Sequence, residues 1–295
     1  MVAGSGLPIT PTFIFIWQSN IMHDPALVKA PLGRETSYPD GYDASLLFPI
    51  ERATNRAALT IPGTWYGADV WNAYEVSWLT PKGKPVVALA RFTFPHDSPR
   101  LVESKSFKLY LNSFSEERFA STDAVSKIMK ADLAQAAGAS VGIELCVISH
   151  QTAQEYGSLE GIYIDDADIE ISTYEPAPGL LQCLPSATVI SETLVSNLLK
   201  SNCPVTGQPD WGSVQVRYIG PQIDRNALLR YVVSLRRHTE FHEHCVEKMY
   251  CDIWQACKPQ SLLVYARYTR RGGLDINPWR SSAPASVCHA RTARQ

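Results

Sequence analysis

Apolar positions along the chain fall into two blocks that share one order of elements. In the first block, "KPVVALARFTF" (84–94) is an apolar run with β-branched residues and predicts a strand. In "RLVESKSFKLYLNSF", Phe107, Tyr110, Leu111 and Phe114 fall at i, i+3, i+4 and i+7, one face of a helix, with Ser104 or Ser106 as the cap. "STDAVSKIMKADLAQAAG" predicts a second helix that stops at Gly138. "VGIELCVIS" and "GIYIDDADIEIS" then predict strands. In the latter, Asp168 and Glu170 alternate with Ile169 and Ile171, which a strand's polar face explains better than a metal site. The second block repeats the order. "ETLVSNLL" and "GSVQVRYIG" predict strands, "DRNALLRYVVSLRRH" and "EFHEHCVEKMYCDIWQACK" helices, "SLLVYARYT" a strand and "RRGGLDINPW" a loop.

Between the blocks lies a proline-rich linker at about 174–187, and no sequence repeat accompanies the repeated order. These patterns predict an α+β protein of two modules, each an antiparallel sheet with helices on one face. The module boundaries fall at 81–178 and 188–282. Residues 1–80, rich in Pro, Gly, Asn and Asp, are expected to form a loop-rich extension, and 283–295 a poorly ordered tail. No G-x-G-x-x-G follows a strand, which excludes a doubly wound dinucleotide fold.

Composition changes this picture little. With 295 residues, 45% of them hydrophobic, the chain can bury a core without a metal or disulfide. A net charge of −2 gives no overall field for nucleic acid or an anionic membrane. No apolar run reaches membrane-spanning length, and no Lys or Arg precedes the short apolar run Phe13–Trp17, so the expected compartment is the cytoplasm. Seven scattered cysteines predict free thiols rather than a disulfide framework.

Chemistry is concentrated in four segments. "SNCPVTGQPDW" sets Cys203 in a polar stretch, followed by Pro204, with Asp210 able to fold back across Gly207. A cysteine at an arbitrary position is most often a core thiol. A nucleophile needs a base or a positive field beside it, and Asp210 could take and return that proton. "HTEFHEHCVEKMYC" lacks both H-E-x-x-H and C-x-x-C, which argues against zinc. Cys245, Met249, Ile253 and Cys257 recur every fourth residue as a core stripe, leaving His242 and Glu243 to face either a cleft or solvent. Glu103, Ser104, Lys105 and Lys108 at a helix start, and Arg270 and Arg271 before two glycines, are each weak anion-binding patterns. On residue types alone, a Cys203–His242 hydrolase and a zinc-dependent or non-catalytic purine or pterin binder remain open.

Together, "ESKSFKLYLNSF", "SNCPVTGQPDW", "FHEHCVE" and "RRGGLDINPWRS" resemble, in order, the signature segments of the NADPH-dependent 7-cyano-7-deazaguanine reductases in their longer, two-module form. These are the nitrile reductases of queuosine biosynthesis. The resemblance runs from about residue 12 to 282. It implies the tunnelling fold and a homodimer. It implies a small deazapurine substrate and NADPH as reductant, with no metal and no direct nucleic-acid or membrane partner. Cys203 is implied as the nucleophile that forms a covalent thioimide and Asp210 as the proton donor. Val102, Glu103, Ser104, His242 and Glu243 are implied in the substrate pocket. Ser104 with Lys105, and Arg271 with Gly272, are implied at the cofactor. Because these residues come from both halves, a complete site requires the halves to pack together or a second subunit to contribute.

Overall fold

A computed structural model describes residues 41–149, 152, 156–185 and 188–295. The apolar run at 13–17 and the linker residues 186–187 lie outside the described residues. In chain order the elements are β1 (Pro49–Glu51), α1 (Arg52–Arg56), β2 (Tyr66–Leu79), β3 (Pro85–Pro95), β4 (Arg100–Val102), α2 (Ser104–Asn112), α3 (Thr122–Ala137), β5 (Gly142–Val147), β6 (Tyr156–Gly157) and β7 (Ile162–Tyr163). The second half follows with β8 (Val189–Asn202), β9 (Pro209–Pro221), α4 (Arg225–Ser234), α5 (His242–Cys257), β10 (Ser261–Tyr268), β11 (Leu274–Ser281) and β12 (Arg291–Thr292).

Eight strands form one sheet in the order β5-β3-β2-β11-β10-β9-β8-β7. Every pairing is antiparallel except the two-residue β7–β8 contact. The fold is therefore α+β, with the two halves fused through the β11–β2 ladder, which runs from Leu274↔Ala73 to Ser281↔Tyr66. Strand alternation separates two faces. Val264 joins the core beneath α4 and α5, whereas Leu263 and Tyr265 point the other way, into a small cluster with Leu159, Trp279 and Val287. The first half has its own core, in which Phe107, Tyr110 and Met129 of α2 and α3 cover Trp71, Phe92 and Phe94 of the strands.

The repeat predicted in element order is also a repeat of particular side chains. Glu103 caps α2 by accepting from the Lys105 and Ser106 amides, and Asp224 caps α4 by accepting from Asn226 and Ala227. Tyr110 of α2 donates to Asp132 of α3 at 2.7 Å, and Tyr231 of α4 donates to Asp252 of α5 at 2.6 Å. Ser113 and Ser234 each return a hydroxyl to the carbonyl of that tyrosine. β2 and β8 each carry a register break against the following strand, at Ala73/Val76 and Ser196/Leu199.

Four expectations change. The stretch before residue 81 contains the 14-residue β2, in which Asp69, Asn72, Glu75 and Ser77 break up the apolar alternation and disguise the strand. "RRGGLDINPW" is a two-residue turn followed by the central strand β11; Pro278, with no N–H to donate, sits just where the three-pair ladder to β10 ends. Of "GIYIDDADIEIS" only Ile162–Tyr163 is strand, and the rest runs irregularly. The 283–295 segment packs on the helix-free face of the sheet. The Tyr265 hydroxyl and Arg267 guanidinium donate to its Cys288 carbonyl, Arg294 donates to the Asn197 and Gly212 carbonyls, and Gln295 donates to the Tyr268 carbonyl.

Candidate active site

Cys203 is at the tip of the β8–β9 hairpin. The loop closes on itself, with the Cys203 amide donating to the Gln208 carbonyl at 2.9 Å and the Gly207 amide to the Cys203 carbonyl at 3.0 Å. Gly207 supplies the left-handed conformation (φ 67°) that this closure needs. Asp210 follows three residues later in β9, opposite Ser201. The Asn202 amide donates to the His238 carbonyl at 2.7 Å and the Glu240 amide to the Asn202 carbonyl at 3.2 Å, which draws the start of α5 alongside the hairpin. His242 Nε2 then lies 3.6 Å from Asp210 Oδ1, and its ring stands edge-on to Tyr268 with centroids 4.1 Å apart.

The other half of the chain supplies the opposite wall. β4 delivers Glu103, fully buried, to the start of α2, and the β11–β2 ladder holds that helix against the hairpin. Glu103, Ser104, Cys203, Asp210, His242 and Arg271 all line one cavity of about 60 Å³, with Lys108, Pro204, Phe241, Thr269, Leu274 and Ile276 completing it. The two halves thus assemble this constellation within a single chain. A second cavity of about 260 Å³ adjoins it, shares Lys108 and Leu274, and is lined by Lys105, Gly272, Gly273 and Glu75.

Charge in the site is tightly arranged. Arg271 donates to the Asp210 carboxylate and to the Gln208 side-chain carbonyl. His242 is held neutral: burial, with Arg271 and Lys108, lowers its pKa to about 4 despite the pull of Asp210. Burial and Arg271 likewise push the Lys108 ammonium down. Each Glu103 carboxylate oxygen accepts one α2 amide at 2.7 Å, and Oε1 also accepts from the Ser104 hydroxyl at 3.5 Å, so the lone pairs left for a ligand are chiefly those of Oε2.

The remaining predicted residues lie elsewhere. Val102 is packed in the first-half core and carries the chain into Glu103. Glu243 is adjacent to His242 on α5, where successive side chains diverge by about 100°, and does not line the cavity. It is buried near Asp69, Arg52 and Arg280, and burial, with Asp69, raises its carboxyl to about 7. Lys105 and Gly272 face the second cavity, not the first. Lys108 has a larger share of the site than its sequence pattern suggested, and its i, i+4 spacing from Ser104 was the available signal. Phe241, Thr269, Leu274 and Ile276 carry no chemical signature by which sequence could single them out. Among the described residues, no three His, Cys, Asp or Glu side chains are grouped to hold a metal, and no helix is long and apolar enough to cross a membrane.

Comparison with known proteins places these features. A family model described as "Nitrile reductase, 7-cyano-7-deazaguanine-reductase N-term" matches residues 38–145, and one described as "QueF-like protein" matches residues 209–286. A Bordetella bronchiseptica protein named NADPH-dependent 7-cyano-7-deazaguanine reductase is 60% identical over 273 residues, covering 92% of this chain and 100% of that protein. Proteins of the same name from Bordetella avium and Burkholderia vietnamiensis are 54% and 55% identical, covering 91% and 90% of this chain and 99% and 98% of their own length. A solved structure, the archaeosine synthase QueF-Like in the apo form, is 19% identical, covers 35% of this chain and 99% of its own, and has a TM-score of 0.28, too low to bear on the fold. Identity at this level along nine-tenths of the sequence, with both halves matched separately, means that the chain belongs to the NADPH-dependent 7-cyano-7-deazaguanine reductase family.

Proposed function

We propose that this protein reduces the nitrile of 7-cyano-7-deazaguanine to the primary amine with NADPH, as a step of queuosine biosynthesis. The observation that carries the reading is the single cavity in which Cys203 and Asp210 meet Glu103 from the other half. A nitrile carbon is electrophilic but accepts hydride poorly. Addition of the Cys203 thiol forms an S–C bond, breaks one C–N π bond and gives a thioimide, whose C=N is more reducible. Asp210, paired with Arg271 in the resting site, takes the thiol proton and delivers it to the nitrile nitrogen. His242, kept neutral, adds no charge against that transfer and offers a ring nitrogen to the substrate. The free lone pairs of Glu103 suit the N–H and NH₂ donors along one edge of a deazaguanine.

The lining of the adjoining cavity supports a place for a phosphate of the cofactor. Two lysines line it, and the turn glycines Gly272 and Gly273 let a ligand approach the backbone where a Cβ would press on Lys108 or collide with Glu75. Lys105, Lys108 and Arg271 would hold phosphate there, and NADPH bound at this position supplies the hydrides that complete reduction. Val102 and Glu243 support the substrate wall from behind in this reading. We also propose a homodimer, supported by the outer edge of β5, where Val147 and the following Ile148 are exposed.

Incubation with 7-cyano-7-deazaguanine, followed by intact mass, should give one adduct on Cys203. Adding NADPH should then consume the cofactor and release the aminomethyl product. Absence of both adduct and NADPH oxidation would reject the reading. Light scattering during size-exclusion chromatography tests the dimer, and a monomer mass would remove it.

A further inference from the structure

The cavity that holds Cys203 is too small for its ligand. At about 60 Å³ it has room for a couple of waters, whereas small-molecule sites run to roughly 300–1,000 Å³. The Arg271 side chain forms part of its wall, and its two terminal nitrogens reach Asp210 and Gln208. Gln208 closes the Cys203 loop through its carbonyl, so the guanidinium clamps the nucleophile's loop and its proton carrier together.

The backbone beneath Arg271 is fixed. Arg271 and Leu274 exchange amide–carbonyl bonds at 2.9 and 3.3 Å across Gly272 and Gly273, both left-handed at φ 54° and 70°. Any opening at this point must therefore come from the side chain. Arg271 is rooted where its two neighbours, Gly272 and Gly273, line the second cavity, while its tip lies in the first. Lys108, common to both cavities, sets a second cation against the guanidinium. A phosphate entering the second cavity would relieve that repulsion and offer the guanidinium a bidentate, more highly charged partner than one carboxylate.

We infer that Arg271 is a phosphate-released plug, which keeps the substrate cavity closed on Asp210 and Gln208 for most of the time and which a phosphate of the cofactor draws into the neighbouring cavity. Withdrawal does two things at once: it opens space beside Cys203, and it frees Asp210 to carry a proton. The inference rests on the cofactor reading of the second cavity, and it makes substrate and cofactor binding cooperative, each favouring the other by the same factor.

The test follows adduct formation on Cys203 by rapid mixing, with no reductant present. NADP⁺, which cannot donate hydride, should accelerate it in the wild-type protein by about tenfold, the scale of one charge-assisted pair. Arg271→Gln should form the adduct faster than wild type by that factor, gain nothing from NADP⁺, and show a raised KM for NADPH. Gln208→Ala, which removes one partner of the fork and touches neither cavity's chemistry, should accelerate the adduct by about two- to threefold and lower the NADPH KM by no more than that factor. Thermal melts of both variants check folding. An adduct no faster than wild type in Arg271→Gln overturns the plug. A fast adduct with an unchanged NADPH KM keeps the plug and overturns its release by the cofactor. No adduct in any version, wild type included, rejects the nitrile reading itself.

Discussion

At the scale of single residues, the site depends on where protons are held. Asp210 lies between Arg271 and a neutral His242, and in the proposed reading it is the group that moves the thiol proton. Asp210→Asn should retain substrate binding but slow adduct formation by about 10²–10⁴-fold. A rate within threefold of wild type would show that another group carries the proton. Buried histidines also set the acid limit of the fold. Burial, with His244 and Lys248, lowers His238 to about 3, and His242 stands at about 4. Both lie below the usual 6.5, so the unfolded chain binds protons that the folded protein refuses. Their contribution is complete above about pH 6.5 and is lost as pH falls through 4 and then 3. Replacing His238 with Gln should flatten the urea-measured loss of stability between pH 6.5 and 4; an unchanged slope would assign that loss to other groups.

That Cys203 and Asp210 share one loop was legible in the sequence, because an acid lies across a glycine turn from a cysteine in a polar stretch; on its own the cysteine read as a core thiol, and only the neighbouring motifs pointed to chemistry. Glu243 was not legible. Composition suggests a pair with His242, but consecutive helix positions point apart, and only packing decides which one meets the cavity. The second role of Glu103 was also hidden. The sequence offered Ser104 or Ser106 as the cap, whereas the carboxylate just before them performs it.

At the scale of elements, the paired helices of each half are cross-braced by tyrosine–aspartate bonds, and the braces are not equivalent. Asp132 also accepts from Tyr42 at 2.7 Å, so loss of Tyr110 leaves it a partner. Among the described residues, Asp252 keeps only the weaker Lys248 contact, 3.1 Å away at the α5 surface. Tyr231→Phe should therefore cost about 1–3 kcal/mol and Tyr110→Phe clearly less, by urea denaturation. Equal losses would mean that the second acceptor bond is irrelevant. Helices and outer strands followed from periodicity, since α2 to α5 each present one apolar face. The central strand β11 did not. Buried on both sides and containing Asp275, Asn277 and Pro278, it has no alternation to read, and its place is set by partners far away in sequence.

At the scale of the molecule, the seam between the halves is locked by buried charge. Arg280 is fully buried on β11, 2.8 Å from Asp69 of β2 and 2.7 Å from Glu247 of α5; Arg52 and Arg56 of α1 close the cluster. Burial alone would raise Glu247, but Arg280, Arg56 and Arg52 outweigh it and hold the carboxyl at about 2. Arg280→Met leaves Asp69 to Arg52 and Glu247 to Arg56, each buried carboxylate short of one cation, and should cost about 3–5 kcal/mol, with unfolding of the two halves no longer coincident by tryptophan fluorescence and circular dichroism. A loss below 1 kcal/mol would show that the cluster rearranges. None of these charges advertised itself in the sequence, because each looks like an ordinary surface residue until the fold assembles them.

The β11–β2 ladder also bears on how the protein is made. Asn277 of β11 bonds the Val70 carbonyl of β2 across 207 residues of chain. At about 5–20 residues per second, a ribosome leaves the inner edge of β2 without its partner for roughly 10–40 seconds. During that time the emerging first half carries an open strand edge over a nearly finished core, the arrangement from which strand exchange and aggregation begin. The seam that completes the active site is thus also the last part of the sheet to close.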